Sequence, residues 1–340
     1  MSALEGLYLW NNSFMGFLPS CLGYLSHLYD LELKKNQLSG PIPEQLCQVR
    51  RLEYLTLYDN ALTGTIPSCL GSLDHLEQLK LSSNHFRGTL PVNLCQATAL
   101  KLLWLNDNTL TGGFPSCLAS SFPFLEAILL HDNDLTGSLP SEWTLPSLIS
   151  IVLSNNPKLS GTLPTRLFLQ PPAANMSGNN DSPNIVLRAV VIEGTSIGGT
   201  LPAALCSAPQ LQTLSFSGNA LTGSLPDCIT TLQNLHTLRI SNNHLDGTLS
   251  VAIDNMTSLT VLDLSSNEIQ GRVPAGLGNI SPNLKTMQLQ LNRLSCDLPA
   301  AVIDWRKSSA NISFNLLGGK SLRLRYKIFQ WNHDSVDPRR

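Results

Sequence analysis

Leucines recur along the chain in a short pattern that is repeated many times. Leu31 and Leu33 alternate with polar residues, as expected for a β-strand with one apolar side. Leu28 precedes this strand, and Leu38 follows it after Asn36. We predict that all four leucines point inward. A single copy cannot bury them alone, so successive copies must stack and share one continuous core.

The pattern returns at a nearly constant spacing. Its Asn, replaced once by Thr, recurs at steps of 24, 24, 24, 24, 25, 23, 39, 24, 24, 24 and 25 residues. These positions number the repeats from one to twelve and are Asn12, Asn36, Asn60, Asn84, Asn108, Asn133, Asn156, Thr195, Asn219, Asn243, Asn267 and Asn292. A fixed period in the twenties with this leucine pattern is typical of leucine-rich repeats.

Three residues predict how each copy turns back. Asn36 ends the strand at a tight bend, and we expect its side-chain amide to bond backbone groups of the next coil. Stacked Asn residues would then form a ladder. Gly40 permits a backbone conformation that other residues avoid. Pro43 stops strand pairing and fixes φ for the return path.

The motif L-x-G-x-I-P after the Asn resembles the plant-type class of leucine-rich repeats. It is nearly unaltered at residues 38–43, 62–67, 135–140 and 221–226, and the resemblance extends over about residues 4–302. The resemblance implies a second short strand after the Asn and a solenoid that twists as it curves. It also implies a role in recognition, usually outside the cell.

Repeat eight departs from the motif. Residues 190–202 contain Glu193, Gly194 and Thr195 where other copies place an Asn. This variant resembles repeats in the surface antigens of kinetoplastid parasites, a resemblance that rests on this one copy.

The organisation that follows is a single solenoid. We predict an α/β fold, a right-handed leucine-rich-repeat horseshoe of about 12 repeats over residues 1–302, with a parallel β-sheet on its concave face. A loop insertion is expected at about residues 168–184, where Pro, Gly, Asn and Ser lack periodicity. Residues 303–340 read as a degenerate C-terminal repeat or cap with a tail, and residues 322–328 as a strand that covers the last coil.

Composition narrows the class of function. Apolar residues make up 42% of the 340 residues and charged residues only 14%, which suits a packed core and not a disordered chain. The net charge of −2 gives no basic excess for nucleic acid. The sequence contains no run of 18 apolar residues, so it predicts no membrane span.

The first residues carry no basic region and no apolar signal core, and they lead almost directly into repeat one. Solenoid ends normally need polar caps. We therefore expect this chain to be a fragment of a longer protein. The alternative is a complete cytosolic protein that begins at Met1.

The cysteines alternate between two positions, nine and eleven residues after the ladder residue. Pairing an eleven-position Cys with the nine-position Cys of the next repeat gives three bridges, each spanning 22 residues: Cys47–Cys69, Cys95–Cys117 and Cys206–Cys228. The opposite choice makes only two bridges and leaves four cysteines unpaired, whereas the first leaves only Cys21 and Cys296 unpaired. Disulfides indicate secretion or the cell surface. The alternative is that the cysteines are small buried apolar residues in a reducing compartment.

Candidate contact residues lie between the inward leucines. Aromatic and charged residues are frequent there in repeats one to six, and such residues anchor interfaces. The predicted ligand-binding set is Tyr8, Trp10, Glu32, Lys34, Lys35, Tyr54, Tyr58, Lys80, Trp104, Asn106 and His131. The alternative is that the aromatic residues only cover neighbouring strands. Acceptors for N-glycosylation match at Asn11, Asn175, Asn180, Asn255, Asn279 and Asn311, a number close to chance for this composition.

The sequence thus favours a non-catalytic recognition module. It predicts no catalytic residues, no cofactor and no metal site. The expected partner is a protein, peptide or glycan ligand on the concave face, outside the cell or at its surface, and not a nucleic acid. Attachment to a membrane through segments outside this chain is a further expectation. Two alternatives are a cytosolic leucine-rich-repeat scaffold and a receptor-like kinase truncated before its kinase domain.

Overall fold

The computed structural model describes residues 3–169, 187–278, 284–295, 311–316 and 320–324. Most of the insertion predicted at about 168–184 lies outside the described residues. The same holds for Cys296 and for the glycosylation acceptors Asn175, Asn180 and Asn279.

The alternating leucines form the parallel sheet that their pattern predicts. We call it the inner sheet. Its first twelve strands come one from each repeat and are joined in sequence order. Within the described ranges the parallel strands are Gly6–Tyr8, Asp30–Glu32, Tyr54–Thr56, Gln78–Lys80, Leu102–Trp104, Ala127–Leu129, Ser150–Val152, Ala189–Val191, Thr213–Ser215, Thr237–Arg239, Val261–Asp263, Thr286–Gln288 and Asn311–Leu316. Lys320–Leu324 adds a last, antiparallel strand. It overlaps the predicted strand at 322–328, whose remaining residues are not described.

A second parallel sheet follows the bend of each coil. Its strands are Met15–Phe17, Gln37–Gly40, Ala61–Gly64, His85–Gly88, Thr109–Gly112, Asp134–Ser138, Lys158–Thr162, Ser196–Thr200, Ala220–Gly223 and His244–Leu245. Gln270–Gly271 and Arg293–Leu294 pair separately in the same manner. The second strand that the plant-type resemblance implies is therefore present.

The return path of most coils is a single turn of 3₁₀ helix. These helices are Ser20–Tyr24, Glu44–Gln48, Ser68–Ser72, Val92–Gln96, Ser116–Ala119, Thr165–Phe168, Ala203–Ser207, Asp227–Thr231, Val251–Asn255 and Ala275–Gly278. Pro43 stands directly before its helix with φ −70°, the angle that the proline ring imposes. Gly40 has φ +72°, which supports its predicted role in the bend.

The core is one apolar column that runs through the stack. Leu28, Leu31, Leu33 and Leu38 are all buried, as predicted, and their equivalents in later repeats are buried as well. Every interior coil is covered by a neighbour on both sides. Among the described repeats, the core therefore grows with the number of coils.

The Asn ladder forms, but toward the coil opposite to the predicted one. Asn60 Nδ2 donates to the carbonyl of Leu33, 3.0 Å away in the preceding coil, and to Leu57 and Tyr58 of its own coil. Its Oδ1 accepts from the backbone N–H of Leu38, also in the preceding coil, at 3.0 Å. The prediction that the amide bonds the next coil was wrong. The side chain reaches backward because the backbone bend already pairs with the next coil.

Repeat eight interrupts this ladder, and the Leu159 N–H finds another acceptor. Thr195 has no amide to accept from Leu159 N–H. Instead, Leu159 N–H donates to the carbonyl of Asn156 at 2.9 Å within its own coil. The extra residue after Asn156 makes room for this turn, and Pro157 occupies the turn position that favours proline. The ladder resumes at Asn219, whose Nδ2 donates to Ile192 O at 2.7 Å.

Three disulfides join adjacent coils on the return side. The structure pairs Cys47 with Cys69, Cys95 with Cys117 and Cys206 with Cys228, each with 5.9 Å between Cα atoms. These are the pairs that the spacing of 22 predicts. Cys21 is exposed and unpaired among the described residues.

Candidate ligand-binding face

Two columns of side chains cover the exposed face of the inner sheet. They come from the residues four and two positions before each ladder residue, because alternate residues of a strand face the same side. In repeats one to six they form what we call the inner strip: Tyr8, Trp10, Glu32, Lys34, Thr56, Tyr58, Lys80, Ser82, Trp104, Asn106, Leu129 and His131. Strand pairing sets Tyr8, Glu32, Thr56, Lys80 and Trp104 side by side in one column.

Lys34 is the centre of the first cluster on the inner strip. Its Nζ forms an ion pair with Glu32 Oε2 at 2.7 Å. The same ammonium lies 5.4 Å from the ring centroid of Trp10 and 5.8 Å from that of Tyr58. An ammonium within about 6 Å of an aromatic face is attracted by the ring. Four predicted residues from three successive repeats thus form one contact group.

Lys80 and Trp104 form the second cluster. Lys80 Nζ lies 4.4 Å from the centroid of the Trp104 ring. Burial lowers the pKa of Lys80, and the positive charge of Lys34 lowers it further. Trp104 Nε1 is buried and has no hydrogen-bond partner among the described residues. The two side chains therefore present two donors without an acceptor.

Acidic neighbours hold the tyrosines at the margin of the inner strip. A hydrogen bond to Asp30 raises the pKa of Tyr8 to about 12, with desolvation as a second cause. Tyr54 donates from its hydroxyl to Glu77 Oε2 at 3.3 Å, and burial raises its pKa. Glu77 also pairs with Lys101 at 2.8 Å. These contacts fix both phenol rings in orientation.

Asn106 and His131 continue the inner strip toward repeat six. Asn106 Oδ1 accepts a hydrogen bond of 2.6 Å from the Ser82 hydroxyl. His131 Nε2 lies 3.9 Å from Asp132 Oδ2, while burial lowers the pKa of the imidazole. Its Nδ1 is buried without a partner among the described residues. Both side chains therefore carry polar groups that face the strip.

Two predicted contact residues lie outside the inner strip, Tyr54 at its margin and Lys35. Lys35 sits in the bend after the inner strand with φ +56°, in the exposed column that also holds Asn11 and Asp59. It borders the inner strip without forming part of it. Asn255 is exposed at the end of a 3₁₀ helix on the return side. Glycosylation at Asn11 and Asn255 stays a prediction.

Sequence reasoning missed the acidic column beside the inner strip. Glu77, seven residues before Asn84, orients Tyr54 and pairs with Lys101. The signal was available, because Glu5, Glu53 and Glu126 occupy the same position in other repeats. Asp132, in the bend after His131, accepts from Asn155 Nδ2 at 2.7 Å and contacts His131.

The later repeats carry a plainer surface. The same two positions in repeats eight to eleven form what we call the later strip: Val191, Glu193, Ser215, Ser217, Arg239, Ser241, Asp263 and Ser265. Its small hydroxyl groups bond to each other, as Ser241 does to Ser217 at 3.0 Å. The later strip has no aromatic side chain, so it offers little apolar area to a ligand.

Family models for the leucine-rich repeat match residues 3–25, 51–73, 75–97 and 209–269. The repeats are leucine-rich repeats of the plant type. No curated protein matches the chain. Within the described ranges, this leucine-rich-repeat chain has no group of three or more His, Cys, Asp or Glu suited to a metal ion. In the same ranges no helix has the length and apolar character that a bilayer span requires.

Solved structures of plant receptors share the fold. The plant peptide hormone receptor RGFR1 in complex with RGF2 is 26% identical with a TM-score of 0.70, over 92% of this chain and 52% of that receptor chain. PEPR1 with AtPEP1 is 28% identical with a TM-score of 0.64, over 92% and 49%. An internalin of Listeria monocytogenes, 18% identical with a TM-score of 0.68 over 92% and 83%, shares the fold alone. The chain spans about half the length of the two plant receptor chains.

Proposed function

We propose that this chain is a non-catalytic recognition module whose inner strip binds an extended peptide outside the cell. The observation that carries the proposal is the concentration of anchored aromatic and charged side chains on six successive strands. Trp10, Lys34, Tyr58, Lys80 and Trp104 all take part in ring–ammonium contacts there. Because such side chains are held before a ligand arrives, little conformational entropy is lost on binding.

Two further observations support a peptide over a globular partner or a glycan. RGFR1 and PEPR1, both above 25% identity, are described in complex with the peptide ligands RGF2 and AtPEP1. The inner strip follows the stacking direction, with neighbouring strands about 4.8 Å apart. Six strands therefore offer a row of about 24 Å, which fits about seven residues of an extended chain.

An extracellular location is supported by the three inter-coil disulfides. A thiol count on native protein tests this part. If the chain is secreted or displayed, only two of its eight cysteines should react with a thiol reagent before reduction, Cys21 and Cys296. Eight reactive thiols in denatured, unreduced protein would favour the cytosolic scaffold instead. Attachment to a membrane through further segments belongs to the same proposal.

The binding face is tested by selection and mutation. Peptides are selected from a random displayed library on the native chain and re-measured on a Lys34→Glu, Lys35→Glu, Trp104→Ala variant. We expect affinity to fall at least about tenfold, because two charges reverse and one aromatic anchor is lost. The matched control is Arg239→Glu with Lys285→Glu in the later repeats, which should leave affinity unchanged. Equal loss in both variants, or in neither, would contradict the proposal.

A further inference from the structure

The inner strip contains one ammonium group that forms no ion pair with a described acidic side chain. Lys34 has its counter-ion, since Glu32 Oε2 lies 2.7 Å from its Nζ. The Lys80 Nζ contacts the face of Trp104 but forms no ion pair and no hydrogen bond among the described residues. A partly buried charge without a partner is costly, so Lys80 favours an anion from outside the chain.

A second donor lies beside this ammonium. Strand pairing places Trp104 directly opposite Lys80. The Nε1–H of Trp104 is buried without an acceptor among the described residues. Two neighbouring donors that lack acceptors call for oxygen atoms, and a carboxylate supplies two acceptor oxygens together with the opposite charge.

Short, uncharged side chains lie on the other side of Lys80. The residue opposite Lys80 on the preceding strand is Thr56, which is only 4% exposed. Ser82, two residues after Lys80, is also small and buried. Glu32, Thr56 and Lys80 are successive members of one column, so Glu32 and Lys80 stand about 10 Å apart with a short side chain between them. Neither Thr56 nor Ser82 can supply the counter-ion that the Lys80 ammonium lacks.

We propose that Lys80 binds the side-chain carboxylate of an Asp or Glu in the ligand peptide, seated over Thr56 and beside Trp104. The inference rests on the proposed function, because it names the chemistry of a ligand for the same inner strip. Lys34 does not serve this purpose, since Glu32 already neutralises it. After burial, the charge of Lys34 lowers the pKa of Lys80, while the carboxylates of Glu32 and Asp30 raise it.

The test compares acid and amide forms of the same peptide. Peptides selected on the native chain are synthesised with amidated C-termini, so that side chains provide their only carboxylates. Each acidic residue is then exchanged in turn, Glu to Gln or Asp to Asn. We expect one such exchange to weaken binding about tenfold on the native chain, the size of a charge-assisted hydrogen bond.

Variants of Lys80 show whether this residue causes the preference for the acid form of the peptide. On Lys80→Met, the acid and amide forms should bind equally and weakly. On Lys80→Arg, the preference for the acid form should persist, because the charge is retained. The control is Lys101→Met, whose ammonium is already paired with Glu77 beside the inner strip; it should keep the full preference.

The outcomes separate the two proposals. Suppose that selected peptides lose affinity on the Lys34, Lys35 and Trp104 variant but bind equally in acid and amide forms. The carboxylate assignment is then wrong while the proposed function stands. If the Lys80→Met variant still prefers the acid form of the peptide, the carboxylate assignment is also wrong while the proposed function stands. Peptides that ignore the inner strip altogether would overturn the proposed function as well.

Discussion

The inner strip and the later strip have the same interior beneath them and different chemistry above. Under the inner strip, Asn84 makes three amide contacts to carbonyls at 3.0–3.2 Å and accepts from Leu62 N–H at 3.0 Å. Under the later strip, Asn243 makes the equivalent contacts at 2.9–3.3 Å and accepts from Leu221 N–H at 2.9 Å. Both side chains are 6% exposed.

Above these ladders the two strips diverge. Tyr58 in repeat three is replaced at the equivalent position by Ser217, Ser241 and Ser265 in repeats nine to eleven. Stacking constrains the residues that face a neighbouring coil, but it places no demand on residues that face solvent. The difference therefore separates what holds the coils together from what can bind a ligand. Four predictions test this separation, beginning with the interior.

The largest effect is expected from the ladder. Asn84→Ala should lower the free energy of unfolding by about 3–5 kcal/mol, because it leaves several buried backbone groups without partners. Asn243→Ala should cost a similar amount. Chemical denaturation measures both, and Asn84→Asp, which keeps only the acceptor, serves as a control that should also destabilise. A loss below about 1 kcal/mol at either position would show that water replaces the amide.

The disulfides come next. Replacing both Cys95 and Cys117 by Ala should cost about 3 kcal/mol, as expected for a closed loop of 22 residues. The pair of Cys206 and Cys228 closes a loop of the same length and should cost as much. Thermal unfolding with and without reductant measures each. Cys21→Ala is the control, and its free energy of unfolding should change by no more than about 0.5 kcal/mol. If the two bridges differ clearly in their contribution to stability, the coils under the inner strip and those under the later strip are not equivalent.

A smaller effect is expected where the ladder is interrupted. Thr195 Oγ1 forms a short hydrogen bond with Asn219 Oδ1. Thr195→Val should therefore cost about 1 kcal/mol. Thr195→Asn should not stabilise the chain, because Leu159 N–H already has an acceptor within its own coil. A clear gain in unfolding free energy for Thr195→Asn would mean that the interruption is not compensated as we describe.

The smallest effect is expected from His131 on the inner strip. Burial lowers its pKa below 6.5 in the folded state, so the unfolded state takes up a proton first as the pH falls. The stability contributed by neutral His131 is thus lost as pH falls through the unfolded pKa. His131→Gln should make the melting temperature fall less between pH 7 and pH 5 than in the native chain. An identical fall in both would contradict the assignment.

The sequence alone was enough for most of the fold. Leu31, Leu33 and Asn36 recur with the period of one coil, and each has its physical role within that coil or against an identical neighbour. Periodicity also placed the three disulfides, since a spacing of 22 residues brings adjacent coils into register. The aromatic and charged set of the candidate site was readable for the same reason, because strand alternation determines which side chains face solvent.

Contacts between different residue types in different repeats could not be predicted from the sequence and became visible only in the tertiary structure. Lys34 lies between Trp10 and Tyr58 because three twisted strands and their rotamers bring the groups within reach, whereas Lys80 is left without a counter-ion. The direction of the Asn amides and the turn at Asn156 that compensates for Thr195 depend on which backbone groups remain free after stacking. A repeating pattern fixes positions along the stack, but the pairing of side chains depends on distances that the pattern does not contain.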